Sequence, residues 1–221
     1  MKVSIIVPCH NEERTVGIIL KKLHELNLSK QIILVNDGST DKTPEILTQY
    51  KDFIDDLVTM PTNQGKGAAV REGLKYVTGD IVIIQDADLE YDVSFIPAIV
   101  NPIINGSADV VYGSRFLNTG NRGNPINYIA NKIFTWAYAK RTGWVMTDVY
   151  TCQKAALTNL VKNISLEENK FGFDIEITTK LAKLSKRYKE IPVDYKPRTK
   201  KEGKHIGLSD GLRGLTMLFI D

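Results

Sequence analysis

Asp86 and Asp88 stand two residues apart, directly after Ile81–Ile84, a run that is β-branched throughout. Such a run suits a strand buried on both faces of a parallel sheet. It stops at Gln85, and a carboxylate pair just past the end of a buried strand is costly unless a cation sits beside it. In open α/β sheets the ligand crevice lies outside those carboxyl ends. Two hard oxygen ligands in a D-x-D pattern suit Mg²⁺ or Mn²⁺, ions that take one or two carboxylates and complete their shell with water and substrate phosphates. A solvated turn carrying two surface aspartates is the plain alternative. The strand in front and the motifs around it favour the metal.

Three other clusters have chemistry of the same kind. Asn11-Glu12-Glu13 and Asn36-Asp37-Gly38-Ser39 each follow an apolar run. Carboxylates and amides at strand ends can hydrogen-bond ribose hydroxyls and base edges, although Asn36 to Asp41 also reads as an Asx turn plus a helix cap. Asn63-Gln64-Gly65-Lys66-Gly67 sets Lys66 between two glycines at a helix start, where free N–H groups and a lysine favour phosphate. It is not a Walker loop, because the spacing and the final Ser or Thr are wrong.

The elements that must position these residues alternate. Strands are expected at 2–7, 31–35, 57–60, 81–84 and 109–113. Helices are expected after Asn11 (its cap, with Val16, Ile19, Leu20, Leu23 and Leu26 apolar), after the capping residue Asp41 with Pro44 in the first turn, at 68–76 and around 94–104. This βα alternation with short connections calls for an α/β fold, a parallel sheet covered by helices on both faces. Beyond residue 113 the pattern changes. A Gly- and Asn-rich loop at 115–125 precedes an expected helix at 126–141 with a wide apolar surface. An extended piece at 148–154, helices at 155–162 and 173–186, a strand at 188–195, a basic loop at 197–205 and a helix at 208–220 complete the reading. No linker is evident, so residues 1–221 read as one domain.

The chain of 221 residues can bury one substantial core. Its 43% hydrophobic and 25% charged residues are ordinary for a globular protein, and a net charge of +3 does not by itself imply nucleic acid. Cys9 and Cys152 are far apart and in no metal spacing, which fits a reducing compartment. No stretch approaches the apolar length of a membrane span, and residues 3–7 are too short for a signal peptide. A cytoplasmic location is the expectation.

IIVPCHNEE, VNDGSTD, NQGKGAAVREG, IIQDADLEY and YGSRF occur in this order with suitable gaps, followed by TDVYTCQKA, KFGFDIEI and EIPVDYKPRTKKEGKHIG. The ordered set resembles the inverting family 2 glycosyltransferases of GT-A fold. The likeness is greatest to the branch that transfers mannose or glucose to dolichyl or polyprenyl phosphate, and it spans nearly the whole chain. It implies a Rossmann-like, mainly parallel sheet, a nucleotide-sugar-binding half to about residue 113 and an acceptor half after it. It also implies a GDP- or UDP-sugar donor, Mg²⁺ or Mn²⁺, a polyprenyl phosphate acceptor, and peripheral contact with the cytoplasmic face of the membrane.

Position by position, the resemblance implies that Pro8, Asn11, Glu12 and Asp37 line the base and ribose pocket, with Lys66 near the donor. Asp86 and Asp88 would hold the metal on the diphosphate, with Glu90 where relatives often have Gln. Arg115 and Arg122 would receive the acceptor phosphate, and Arg198 and Lys204 would close over the donor. His10 replaces the tyrosine of the P-x-Y-N-E pattern and Asn36 the first aspartate of D-D-G-S, and both bear on base choice. The membrane helices that follow the catalytic domain in some relatives are absent from this sequence.

Asp148 separates two enzymatic readings. Transfer to a sugar hydroxyl needs a carboxylate base, and Asp148 is the best-placed candidate. A phosphate acceptor is already mostly anionic at neutral pH and needs none. Asp148 would then orient the acceptor loop by pairing with Arg115 or Arg122. A non-catalytic nucleotide-sugar-binding protein is the reading of another class, and the intact D-x-D and Gly-Lys-Gly argue against it.

Overall fold

The computed structural model describes residues 1–117, 125–170 and 172–198. Seven strands form one sheet: β1 (Val3–Cys9), β2 (Lys30–Asp37), β3 (Asp56–Met60), β4 (Ile81–Ile84), β5 (Val110–Ser114), β6 (Lys154–Leu157) and β7 (Tyr188–Pro192). Their spatial order is β3-β2-β1-β4-β6-β5-β7. β1 pairs in parallel with both β2 and β4, so the order reverses at β1 and opens a crevice beyond the carboxyl ends of these strands. β1 is buried at every position, as is β4, which is why both read as continuous apolar runs.

Helices α1 (Val16–Glu25), α2 (Thr43–Gln49), α3 (Lys66–Leu74), α4 (Ile96–Ile104), α5 (Pro125–Thr142), α6 (Thr158–Lys162) and α7 (Phe173–Leu184) flank the sheet. α3 packs on β1 and β2, and α4 on β5. Gly73 lets α3 approach closely, because a Cβ there would lie 2.8 Å from Ile6 Cγ2 and 3.1 Å from Val35 Cγ2.

Several expectations shift by a residue or two, and two change in kind. The first three residues of the helix expected at 155–162 belong instead to β6, which runs antiparallel between β4 and β5, while Thr158–Lys162 is helical. Ala155 and Ala156 are fully or nearly fully buried between neighbouring strands, so tertiary placement overrides the helical preference of alanine. Nor does Asn11 cap α1. It adopts φ 54°, its Oδ1 accepts from Thr40 N (2.8 Å) and Asp41 N (3.4 Å), and α1 begins later, at Val16. Asp41 does accept from Thr43 N at the start of α2, at 2.9 Å. The expected helix at 208–220, most of the basic loop, and residues 118–124 lie outside the described residues.

Candidate active site

Four carboxylates, Glu12, Asp86, Asp88 and Glu90, gather at the crevice and meet two cations. Lys66 Nζ lies 2.8 Å from Asp86 Oδ1 and 3.0 Å from Oδ2. Arg198 Nη2 donates to Asp88 Oδ2 at 2.9 Å, and Nη1 donates to Glu12 Oε1 and Oε2 at 2.9 and 3.1 Å. Asp88 Oδ1 accepts from Glu90 N at 3.0 Å, across a turn in which Leu89 takes φ 62°. That left-handed conformation is costly for leucine, and the Asp88–Glu90 bond helps to hold it.

The charges set the protonation behaviour. Burial acts to raise the Asp86 carboxyl, but the Lys66 ammonium outweighs it and holds the group below the usual range. Asp88 is pushed up to about 7, first by burial and then by the charge of Asp86, with Arg198 opposing. Counted as ionised and among the described residues, the four carboxylates are two positive charges short of neutrality with Lys66 and Arg198. Hard oxygen donors with that deficit, and an Asp88 whose negative charge is poorly compensated, fit a divalent cation.

Three groups expected to face a ligand meet protein partners here. Glu90 Oε1 accepts from Arg198 N at 2.7 Å and its Oε2 from Tyr195 OH at 3.0 Å. Among the described residues no three His, Cys, Asp or Glu groups are placed to hold an ion. The start of α3 is not an open phosphate cradle. Gly67 N and Ala68 N donate to Asn169 O at 2.8 and 3.3 Å, and a Cβ on Gly67 would collide with the Glu168 carbonyl oxygen. Asp37 does not present free oxygens to a base or ribose, because Oδ1 accepts from Gln64 N and Oδ2 from Gly65 N, both at 2.8 Å. It fixes the turn that carries Lys66. Pro8 is buried at the end of β1, paired with Val35. His10 Nδ1 donates to Asp37 O at 2.8 Å.

A second cluster lies beside the first. Arg115 grips Asp148 bidentately, Nε to Oδ2 and Nη2 to Oδ1, both at 2.7 Å. Asn131 of α5 donates to Asp148 Oδ1 at 3.1 Å, and Asp148 is fully buried. Burial acts to raise its carboxyl, and the Arg115 charge beside it brings it below the usual range. The Nε–Nη2 edge of Arg115 is therefore engaged. Arg122 and Lys204 lie outside the described residues.

Residues missed from the sequence join the two clusters. Tyr195 donates to Glu90 while its ring lies 5.1 Å from the Arg115 guanidinium carbon. The Tyr91 ring is 6.0 Å from the same carbon, and its hydroxyl accepts from Cys152 N at 3.2 Å. Glu190 of β7 accepts from Thr147 N (2.9 Å) and Asp148 N (3.1 Å), so it fixes the loop that presents Asp148. Behind Asp86, Lys154 and Asp174 form a buried pair at 2.6 Å. The signal for Tyr91 and Tyr195 was their place within the IIQDADLEY and VDYKPR motifs. Lys154 and Asp174 gave none, because neither lies near D-x-D until β6 inserts.

The crevice at the strand reversal, the acidic turn after β4 and the cations that cross it belong to a Rossmann-like α/β protein. The chain belongs to glycosyl transferase family 2, whose family model matches residues 4–164. The undecaprenyl-phosphate 4-deoxy-4-formamido-L-arabinose transferase of Photorhabdus laumondii is 33% identical over 162 residues, which cover 70% of this chain and 48% of that protein. The dolichol-phosphate mannosyltransferase of Pyrococcus furiosus is 32% identical over 123 residues, 54% of this chain and 35% of that one. The chain thus spans half or less of the length of these relatives. Glucosyl-3-phosphoglycerate synthase from Mycobacterium tuberculosis, solved with Mn²⁺, UDP and phosphoglyceric acid, has a TM-score of 0.76 over 98% of this chain and 77% of that one. The same enzyme with Mg²⁺ and UDP gives 0.75 over 98% and 78%. At 19% identity both show the fold alone, which is GT-A.

Proposed function

We propose that this chain transfers a sugar, with inversion, from a UDP- or GDP-sugar to a polyprenyl phosphate at the cytoplasmic face of a membrane, using Mg²⁺ or Mn²⁺. The observation that carries the reading is the carboxylate pair Asp86 and Asp88 within a cluster of four carboxylates that Lys66 and Arg198 only half neutralise, beyond the carboxyl ends of the parallel strands where the order reverses at β1. The two halves, to about residue 113 and after it, share one sheet and act as one domain.

When bound, the metal neutralises charge on the leaving nucleoside diphosphate. Asp86 and Asp88 hold it, and Lys66 keeps Asp86 ionised. Asp37 fixes the Gln64–Gly65 turn so that Lys66 reaches Asp86, and Glu12 and Arg198 border the donor. Asn11 ties the β1 turn to the β2 turn through Thr40 N. On the acceptor side Arg115, held by Asp148 and flanked by Tyr91 and Tyr195, offers its charge and the N–H groups that Asp148 does not take to a phosphate. Arg122 shares that task, and Lys204 assists on the donor side.

The phosphate acceptor is favoured over a hydroxyl because Asp148, the candidate base, is fully buried and has both oxygens engaged by Arg115. A lipid acceptor is favoured by α5. Ile129, Ile133 and Trp136 lie on one helical face and are 58%, 60% and 65% exposed, while Phe134 and Tyr138 on the other side are buried. Lys140 and Arg141 follow in the last turn. Apolar residues with adjacent basic ones suit the interface of an anionic bilayer. No described helix is long and apolar enough to cross a membrane.

The deciding experiment incubates the chain with Mn²⁺, labelled UDP- and GDP-sugars, and either a polyprenyl phosphate or a panel of free sugars. Label in the lipid phosphate supports the proposal. Label only in free sugars, or none in either, overturns it.

A further inference from the structure

Arg198 stands where the metal reading needs open oxygens. Its Nη2 is 2.9 Å from Asp88 Oδ2, and the other oxygen of Asp88 is engaged by Glu90 N. Its Nη1 is shared between the two oxygens of Glu12. Its Nε is buried and, among the described residues, has no hydrogen-bond partner; it lies 4.0 Å from Glu90 Oε1. The guanidinium therefore meets two carboxylates of the cluster but leaves one of its own donors unsatisfied among the described residues, a costly arrangement that a better-placed anion would relieve.

We propose that Arg198 is an internal competitor for the divalent cation: it closes Asp88 to metal alone and releases it when a nucleoside diphosphate arrives. This rests on the metal-dependent reading given above. A dication and a guanidinium that draw on the same Asp88 oxygen repel each other at contact distance, and the low local dielectric sharpens that repulsion. A diphosphate resolves the conflict. It brings negative charge for the metal and gives Arg198 a bidentate partner in exchange for the carboxylates.

The backbone is arranged so that the side chain alone has to swing. Lys196 N donates to Glu90 O at 2.9 Å, Arg198 N to Glu90 Oε1 at 2.7 Å, and Tyr195 forms a bridge with Tyr91. The segment at 195–198 stays fastened beside the D-x-D turn whichever anion the guanidinium holds. Metal and nucleotide then bind with positive coupling, and by linkage each tightens the other by the same factor. The site takes up metal and nucleotide together rather than charging with metal first.

The test measures Mn²⁺ binding from the free-ion electron paramagnetic resonance signal, with no sugar and no turnover. It compares the unaltered chain, Arg198→Gln and Arg198→Lys, each alone and with UDP or GDP, corrected for Mn²⁺ held by the nucleotide in solution. Arg198→Gln should bind Mn²⁺ alone roughly tenfold more tightly than the unaltered chain, with a correspondingly smaller gain on adding nucleotide. Arg198→Lys should fall between them, and it carries the comparison if circular dichroism shows that the glutamine variant has not folded. Mn²⁺ affinity that is unchanged or weaker in both variants, while a nucleotide still recruits Mn²⁺ to the unaltered chain, overturns the competition and leaves the metal reading standing. No Mn²⁺ binding by the unaltered chain with either nucleotide overturns both.

Discussion

Replacing Asp148 with Asn tests stability and mechanism at once. Asp148 is fully buried and accepts from Arg115 Nε and Nη2 at 2.7 Å, from Arg115 N at 3.2 Å and from Asn131 Nδ2 at 3.1 Å. The Arg115 side chain is 14% exposed, so the pair is almost wholly out of water. Asn keeps the shape but removes the charge, and its amide nitrogen turns a donor toward donors. Breaking a buried pair on one side costs about 3–5 kcal/mol. For a chain of this size that lowers Tm by about 10 °C. Arg115→Met leaves the carboxylate stranded and should cost a similar amount. The double variant removes both charges and should lose about 2 kcal/mol less than the sum of the two. Urea or calorimetric unfolding of the four proteins gives this cycle directly. The kinetic half uses a polyprenyl phosphate acceptor. Loss of a general base lowers turnover by about 10²–10⁴, whereas loss of a positioning contact appears mainly in acceptor affinity. The second pattern is expected. Strict additivity would refute the electrostatic argument. A thousand-fold fall in turnover with unchanged acceptor affinity would refute the positioning role and restore the hydroxyl acceptor.

Asp88→Ala should abolish transfer and Mn²⁺-dependent nucleotide binding while the fold persists, since it relieves repulsion with Asp86; full activity in EDTA would sink the metal reading. Ile133→Glu combined with Trp136→Glu should cut co-sedimentation with anionic vesicles at least tenfold, because burying one such side chain is worth about 1.5–3 kcal/mol; unchanged sedimentation at low salt would remove α5 from the membrane. Gly67→Ala should destabilise the chain by about 2 kcal/mol through its collision with the Glu168 carbonyl; intact stability with weakened nucleotide binding would instead restore the phosphate cradle. Asp148 and Asp109 both have lowered folded-state pKa values, Asp148 by its Arg115 partner against burial and Asp109 chiefly by hydrogen bonds from Arg187. Their contribution to stability is present above the unfolded carboxyl value of about 3.9 and is lost as pH falls through the lower folded values. Asp88, whose folded value is raised to about 7, adds stability as pH falls from neutral toward the unfolded value. The urea midpoint should therefore not fall between neutral pH and about 5 and should drop in stronger acid; a midpoint that keeps rising in stronger acid would contradict the assignment.

What the sequence makes legible follows from how far each signal reaches along the chain. Strands β1, β2 and β4 are buried on both faces, so their apolar runs are unbroken, and the turns after them carry the polar residues the crevice needs. The insertion of β6 is not legible, because Lys154 to Leu157 has no alternation, contains two alanines, and becomes a strand only through partners at Ile81–Ile84 and Val110–Ser114. The same insertion places Cys152 Sγ 3.2 Å from Asp86 N and the Lys154–Asp174 pair behind it.

Within the site, residue type revealed which groups are charged but not which of them answer one another. Asp37, Glu90 and the Gly65-Lys66-Gly67 turn all look like ligand groups when taken singly. In the fold each faces a partner from a distant segment: Asp37 the backbone of Gln64 and Gly65, Glu90 the residues at 195 and 198, and the α3 N-terminus the carbonyl of Asn169. These three devices hold in place the groups left for chemistry, Lys66 on Asp86 and Arg198 on Asp88. Backbone fixed beforehand leaves only side chains to adjust when a ligand arrives, which limits the cost of reorganising. Much of the polar sequence that resembles a ligand pocket is therefore the scaffold of one, and only the three-dimensional partners distinguish the two.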